Sequence, residues 1–183
     1  MESNKEKFIR LFKEYITRPG ADKLLEYIES TDFFEAPAST KYHGNFRGGL
    51  VEHSLNVLEC MGTSFDESTV IVSLLHDLCK ANFYKIDYRN AKQPDGSWAR
   101  VPYYTIDDAL PIGNHGDKSV FIIQRYMYLL DHEIAAIRYH MGGFSEGDKN
   151  NFSFVCERYP LTVYLHIADM QATFLHDRKV ETI

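Results

Sequence analysis

Apolar positions recur at helical spacing along most of this chain and alternate in only one stretch. Phe8, Ile9, Leu11, Phe12, Tyr15 and Ile16 fall among Lys, Glu and Arg at intervals that predict an N-terminal helix, which Pro19-Gly20 ends. Leu24, Leu25 and Ile28 predict a second helix from Ala21 to about Glu29. Residues 30 to 49 lose the period and collect Pro37, Gly44, Gly48 and Gly49, which marks a loop. Leu50, Val51, Leu55, Val57 and Leu58 then predict a helix whose start is set by Gly48-Gly49. The apolar run from Val70 to Leu75 predicts a buried central helix from about Glu67 to Leu78, with Asp66 as its N-cap. After it the period changes to two. Over about 83–105, aromatic and polar residues alternate on either side of Pro94-Asp95-Gly96, the pattern of a β-hairpin. Helical spacing resumes over Lys118 to Leu130 and from Asp131 to about His140, where Gly142-Gly143 stops it. A polar stretch, Phe144 to Asn151, and a short helix lead to a last helix from Leu161 to about His176, with Pro160 at its start. The expected fold is all-α, a helical bundle with a small β-hairpin insertion. One domain covers 1–183, with helices and a loop to residue 40 and the helical core over 41–176.

Composition narrows the partners more than the fold. A chain of 183 residues with a hydrophobic share of 44% is long enough to bury one continuous core. Its net charge of -6 excludes an extended basic surface for duplex nucleic acid and leaves room only for a local cluster of Lys and Arg. Cys60, Cys79 and Cys156 form no CxxC pair and suit a reducing compartment, so a cytoplasmic protein is expected. The N-terminus has no apolar core of a signal peptide, and no window approaches the roughly 18 apolar residues of a membrane span.

The candidate chemistry centres on His76-Asp77, at the end of the apolar run, with Lys80 three positions on. A second pair, His176-Asp177, lacks comparable company and is set aside with His132. A lone His on a helix is more often a hydrogen-bonded core or surface residue than a ligand. The case here is the set: His53, His76, Asp77 and Asp169 for one ion, with Asp77 bridging to a second ion held by His115 and His140. The gaps between these residues are each long enough for a helix and a loop, so the ligands would converge from separate helices, as in metal-binding bundles. Imidazole and carboxylate suit one or two divalent transition ions, Mn, Fe, Ni, Co or Zn, with Mg as a further option. Asp169, within an apolar helix, needs a partner to be buried as a charge. His166 lies one helical turn before it, in place to support it, and Cys79 reads as packing. Lys80, Arg47, Lys85, Arg89 and Arg100 are cations near the expected mouth, and His43 is placed to orient a substrate. Tyr84, Tyr88, Trp98, Tyr103 and Tyr104 could stack on a base or merely fix the hairpin to the helices.

The order His, His-Asp, His, His, Asp, with the phrases Gly48-Gly49-Leu50-Val51-Glu52-His53-Ser54 and Leu74-Leu75-His76-Asp77-Leu78-Cys79-Lys80, resembles the HD-domain superfamily of metal-dependent phosphohydrolases over about Lys41 to Met170. The Gly-Gly-Leu-x-Glu-His wording, with His43 before it, is similar to the HD domain of 3′-to-5′ exoribonucleases of the YhaM type. Those enzymes carry an N-terminal OB domain where this chain has about forty residues of helix and loop, so the substrate does not carry over. The resemblance implies hydrolysis of a phosphoester by a metal-activated hydroxide at Asp77, with Lys80 meeting a phosphate oxygen. The expected partner is a nucleotide or a short single-stranded oligonucleotide. A di-iron oxygenase and a nucleotide-binding regulatory module without turnover are the alternative expectations.

Overall fold

The computed structural model describes residues 2–108, 110, 112–142 and 149–179, and among these the side chains of all but Lys149 and Asn150. Gly143 and residues 144–148 of the expected polar stretch lie outside the described residues.

Helix α1 (Asn4–Tyr15) starts at a capping box: Ser3 accepts from the Glu6 amide and the Glu6 carboxylate accepts from the Ser3 amide. It buries Phe8, Leu11 and Phe12, one face of a 3.6-residue repeat. Helix α2 (Ala21–Ser30) buries Leu24, Leu25 and Ile28, as the spacing predicts. Helix α3 (Gly49–Cys60) and helix α4 (Glu67–Leu75) pack on each other and on α1. The Asp66 carboxylate caps α4 by accepting from the Thr69 amide. Leu74, Leu75 and Leu78 are fully buried, so the apolar pattern runs past the end of α4 and hides it. The helix stops at Leu75, Asp77 takes φ -106 and ψ 18, and a 3₁₀ turn follows over Leu78–Lys80.

Strands β1 (Tyr84–Lys92) and β2 (Trp98–Ile106) form one antiparallel ribbon, running from Tyr84 opposite Ile106 to Lys92 opposite Trp98. The hairpin is therefore present, with strands that reach further toward the turn than the Asn90–Gly96 sequence suggests. Helix α5 (His115–Gln124) begins three residues before the expected Lys118. Asn114 and Asp117 form its capping box, a start that a His-Gly-Asp first turn without apolar period does not reveal. Helix α6 (Asp131–Tyr139) matches expectation. Helix α7 (Lys149–Arg158) starts inside the expected polar stretch, and helix α8 (Leu161–Gln171) passes into a π turn over Ala172–His176. Helix α8 packs on α3 and α6, and α5 packs on α6. The described residues are thus mostly helical, with a single two-stranded sheet. No helix among them is long and apolar enough to cross a membrane, and all three cysteines are free.

Two glycines bring the helices close enough to matter for the site. A Cβ on Gly49 would stand 2.0 Å from the Gly44 carbonyl oxygen, so only glycine lets the 31–48 loop lie against the start of α3. That approach sets the His43 ring 5.0 Å from the ring of His53. A Cβ on Gly116 would stand 2.4 Å from the Ile137 carbonyl oxygen, so glycine also permits the seating of α5 on α6.

Candidate metal centre

Most of the candidate ligands sit at helix ends, where the backbone itself can orient them. His76 and His140 are the C-cap residues of α4 and α6. The last carbonyls of a helix have no intrahelical donor, and each of these rings supplies one. His76 donates from Nδ1 to the Ser73 carbonyl at 2.9 Å, and His140 from Nδ1 to the Ile137 carbonyl at 2.6 Å. His53, one turn into α3, donates from Nδ1 to Asp177 at 2.7 Å, and the Asn56 amide holds the other oxygen of that carboxylate at 2.8 Å. Each of the three rings thereby turns Nε2 toward a common centre. His53, His76, Asp77 and His140 are all 3% exposed or less.

The two oxygens of Asp77 divide the set. Oδ2 lies 3.5 Å from His76 Nε2, 3.8 Å from His53 Nε2 and 2.6 Å from Lys80 Nζ. Oδ1 lies 2.5 Å from His115 Nε2 and 3.6 Å from His140 Nε2. Asp169 Oδ1 joins the first group, 3.2 Å from His53 Nε2, and His53 Nε2 is 3.2 Å from His76 Nε2. The six residues expected to hold metal are therefore brought together around Asp77, where His76 also groups with His140.

Charges and protons complete the picture. Burial disfavours the Asp77 carboxylate, but Lys80, His76 and His115 outweigh it and hold its pKa well below the usual range. Asp169 is likewise held low: its burial is overcome by the hydrogen bond and charge of His53. Burial lowers the basicity of His53, yet its bonds to Asp169 and Asp177 carry it up to about 9. His115 rises to about 10, because the charge of Asp77 and the neighbouring Cys79 overcome its burial. The Cys79 sulfur lies 3.2 Å from His115 Nδ1, so this cysteine touches the site rather than only packing. His140 behaves oppositely: burial and the neighbouring His76 push it down to about 4.

The hydrogen bond of His140 shows which of its nitrogens is left for the centre. A neutral imidazole has one N–H, and His140 spends it on a carbonyl. Its Nε2 lone pair then faces a carboxylate oxygen at 3.6 Å, two electron-rich atoms with no proton between them. A cation resolves this contact. Triads such as His53, His76 and Asp169, or His76, Asp77 and His140, each offer ligand atoms within 4.8 Å of one another, and these buried groups could hold a metal ion.

A cavity of about 870 Å³ opens above the centre. Asp77, Lys80, His115, His140 and Asp169 form its floor side, and Phe83, Met141, Met170 and Phe174 give it apolar wall. Comparison with family models, curated proteins and solved structures finds no match. The chemistry is therefore read from this geometry alone.

Of the residues expected to bind substrate, His43 and Lys80 line the cavity, whereas Arg47, Lys85 and Arg89 are not among its lining residues. Strand pleat explains two of the absences. Tyr84 faces the cavity, so Lys85 and Arg89, at odd positions, point to the opposite side. Arg47 pairs with Glu35 at 2.7 Å and is exposed. His43 is pushed down to about 4 by burial and by the charge of His53, so it is a neutral ring at pH 7. His166 supports the site differently from expectation, donating from Nδ1 to the His140 carbonyl at 2.6 Å instead of serving Asp169.

The residue that sequence reasoning passed over is Asp177. It belongs to the His-Asp pair that lacked company, and the π turn after α8 brings its carboxylate onto His53. The chain beyond it is pinned by Arg178, which pairs with Glu52 and gives its carbonyl to the Gly44 amide. One signal was available: a metal-binding His needs an acceptor for its other N–H, and His53, in mid-helix, has no free helix carbonyl to use.

Proposed function

We propose that this chain is a metal-dependent phosphohydrolase of the HD type, cleaving a phosphoester of a nucleotide or short oligonucleotide. The observation that carries this reading is the convergence of the Nε2 atoms of His53, His76 and His140 beside the Asp77 carboxylate, with a lysine on the cavity side. One or two divalent transition ions would supply Lewis acidity, drawing charge from phosphoryl oxygens and making water acidic enough to attack near neutral pH. His53, His76, Asp77 and Asp169 would hold the first, and Asp77, His115 and His140 the second.

The protein's own groups supply the rest. Lys80 keeps its charge, since Asp77 and the nearby Tyr84 raise its pKa against burial, and it lines the cavity where a phosphate oxygen would lie. His43 as a neutral ring can donate one hydrogen bond to a phosphate or ribose. Tyr84 stays protonated, its phenol pushed up to about 12 by burial, and donates to the Ala38 carbonyl at 3.3 Å, which fixes the wall at the mouth. The apolar wall suits a base and keeps bulk water from the phosphorus.

The test is metal content by mass spectrometry on protein purified without chelator, followed by a screen of nucleotides and dinucleotides for hydrolysis with Mn²⁺. Bound first-row metal and phosphoester cleavage are expected, and Lys80→Met should keep the metal while kcat falls roughly 100-fold. Iron with oxygen uptake and no ester cleavage would replace this reading with an oxygenase. Absence of metal after incubation with Mn²⁺ would leave a binding module.

A further inference from the structure

The ribbon is anomalous for a soluble protein. Its strands pack chiefly on each other, and isolated two-stranded hairpins are marginal in water. Yet Ile86, Tyr88 and Trp98 stand 59%, 51% and 70% exposed. The register puts these on one face. Directly paired residues share a side, so Tyr84 with Ile106, Ile86 with Tyr104, Tyr88 with Pro102, Asn90 with Arg100 and Lys92 with Trp98 all face the same way.

That face begins in the cavity, because its first pair, Tyr84 and Ile106, lines the wall above the metal centre. It then continues outward for the remaining length of nine-residue strands, roughly 30 Å in all. Its charge is also one-sided. Lys92 and Arg100 lie on it, with the Arg100 guanidinium 4.8 Å from the Tyr88 ring centre. The carboxylate of Asp87 belongs to the other face, in a chain whose net charge is -6. On β1 the rings of this face, Tyr84 and Tyr88, stand four residues apart, and on β2 Trp98 and Tyr104 stand six apart, about 13 Å and about 20 Å along the strands.

We propose that the even-numbered face of the ribbon is a track for single-stranded nucleic acid, leading the strand's terminal phosphoester into the cavity. The inference rests on the phosphohydrolase reading and narrows its substrate class to a strand of several nucleotides rather than a free mononucleotide. Tyr88, Trp98 and Tyr104 supply base-stacking surfaces, and Lys92 and Arg100 supply phosphate contacts, a combination that tolerates any sequence. A duplex cannot use it, because its bases are already stacked. A second copy packed ribbon face to ribbon face would cover the same apolar residues but would bring like charges together at Lys92 and Arg100.

Trp98 is the single tryptophan of the chain, so its emission reports on the far end of the track alone. The experiment is titration of the chelator-treated full chain with oligothymidylates, following Trp98 fluorescence and the anisotropy of a labelled decanucleotide. Quenching by the decanucleotide, none by thymidine monophosphate and weak quenching by a duplex are expected. Tyr88→Ala and Arg100→Ala, both at exposed positions, should each weaken strand binding roughly tenfold. A Trp98 signal that responds to no strand overturns the proposal. So does a blue shift that tracks protein concentration with a rise in sedimentation coefficient, which would assign the face to a second copy. Because binding is read without metal, strand binding with no hydrolysis would sink only the phosphohydrolase reading. Mononucleotide hydrolysis with no strand binding would sink only the track.

Discussion

Two buried charge clusters in this molecule look alike by burial and differ in the groups that face the carboxylate. At the first, Glu133 is fully buried and receives both arms of Arg18 at 2.8 Å, the Ser68 hydroxyl at 2.6 Å and the Leu130 amide at 2.8 Å. Arg18 also reaches Glu67 at 3.2 Å. Every lone pair used there meets an N–H or O–H, and the network ties α4 and the connection between α1 and α2 to α6. At the second, Asp77 and Asp169 face imidazoles whose N–H groups are already committed to Ser73, Ile137 and Asp177. Buried carboxylate does not by itself mark a functional site. Imidazole rings turned onto it by hydrogen bonds from their far nitrogens do.

Breaking one carboxylate in each cluster should give opposite signatures, and this is the largest effect expected. Asp77→Ala should abolish metal uptake measured by mass spectrometry, since both ligand groups lose their shared oxygen pair. Glu133→Gln should leave metal stoichiometry unchanged and lower unfolding free energy by about 3 kcal/mol in urea, the cost of breaking a buried pair. Loss of metal in both variants would mean that the clusters are one structural unit.

The contrast also explains what the sequence could reveal. The members of the cluster were legible because His76-Asp77 ends an unbroken apolar run and Asp169 interrupts another; a polar residue on such a face needs a reason. The hairpin was legible from its period of two. Arg18 with Glu133, and His53 with Asp177, were not, because both pairs are separated by most of the chain and neither member lies in an apolar run. The ends of α4 and α5 escaped for a different reason. Buried Leu78 continues the pattern beyond the helix, and the capping box at Asn114 opens α5 before any apolar residue appears. Arg47, Lys85 and Arg89 were placed by nearness in sequence, which does not settle on which side of a pleated strand, or against which neighbour, a side chain comes to rest.

Asp177 sharpens the comparison with a smaller effect. It acts only through His53, fixing the ring so that Nε2 faces the centre, and its removal deletes no proposed ligand. Asp177→Asn retains one oxygen acceptor for the His53 N–H but loses the charge behind it. Metal affinity, measured by competition with a chelator, should fall about 10- to 100-fold while stoichiometry at saturating metal is kept. Unchanged affinity would reduce Asp177 to a clasp for the chain end, alongside Arg178 and Glu52.

The two clusters also differ in how they couple stability to pH, and only the histidine-rich one should produce a slope above pH 7. In chelated protein the place of a cation is taken by protons. His53 and His115 hold theirs up to about 9 and about 10, against roughly 6.5 for an unfolded histidine. The folded state thus binds more protons than the unfolded chain between those limits. Its stability gain from these rings is complete below pH 6.5 and is lost as pH rises through 9 to 10. Arg18 stays charged throughout this window, so the other cluster contributes no slope through that group. Urea midpoints of the chelated protein should therefore decline from pH 7 to pH 10. With saturating Mn²⁺ the decline should vanish or reverse, because metal binds only the deprotonated rings and its affinity rises with pH. Equal slopes with and without Mn²⁺ would mean that the two rings keep their protons in both conditions, and that the cation of this centre is a proton rather than a metal.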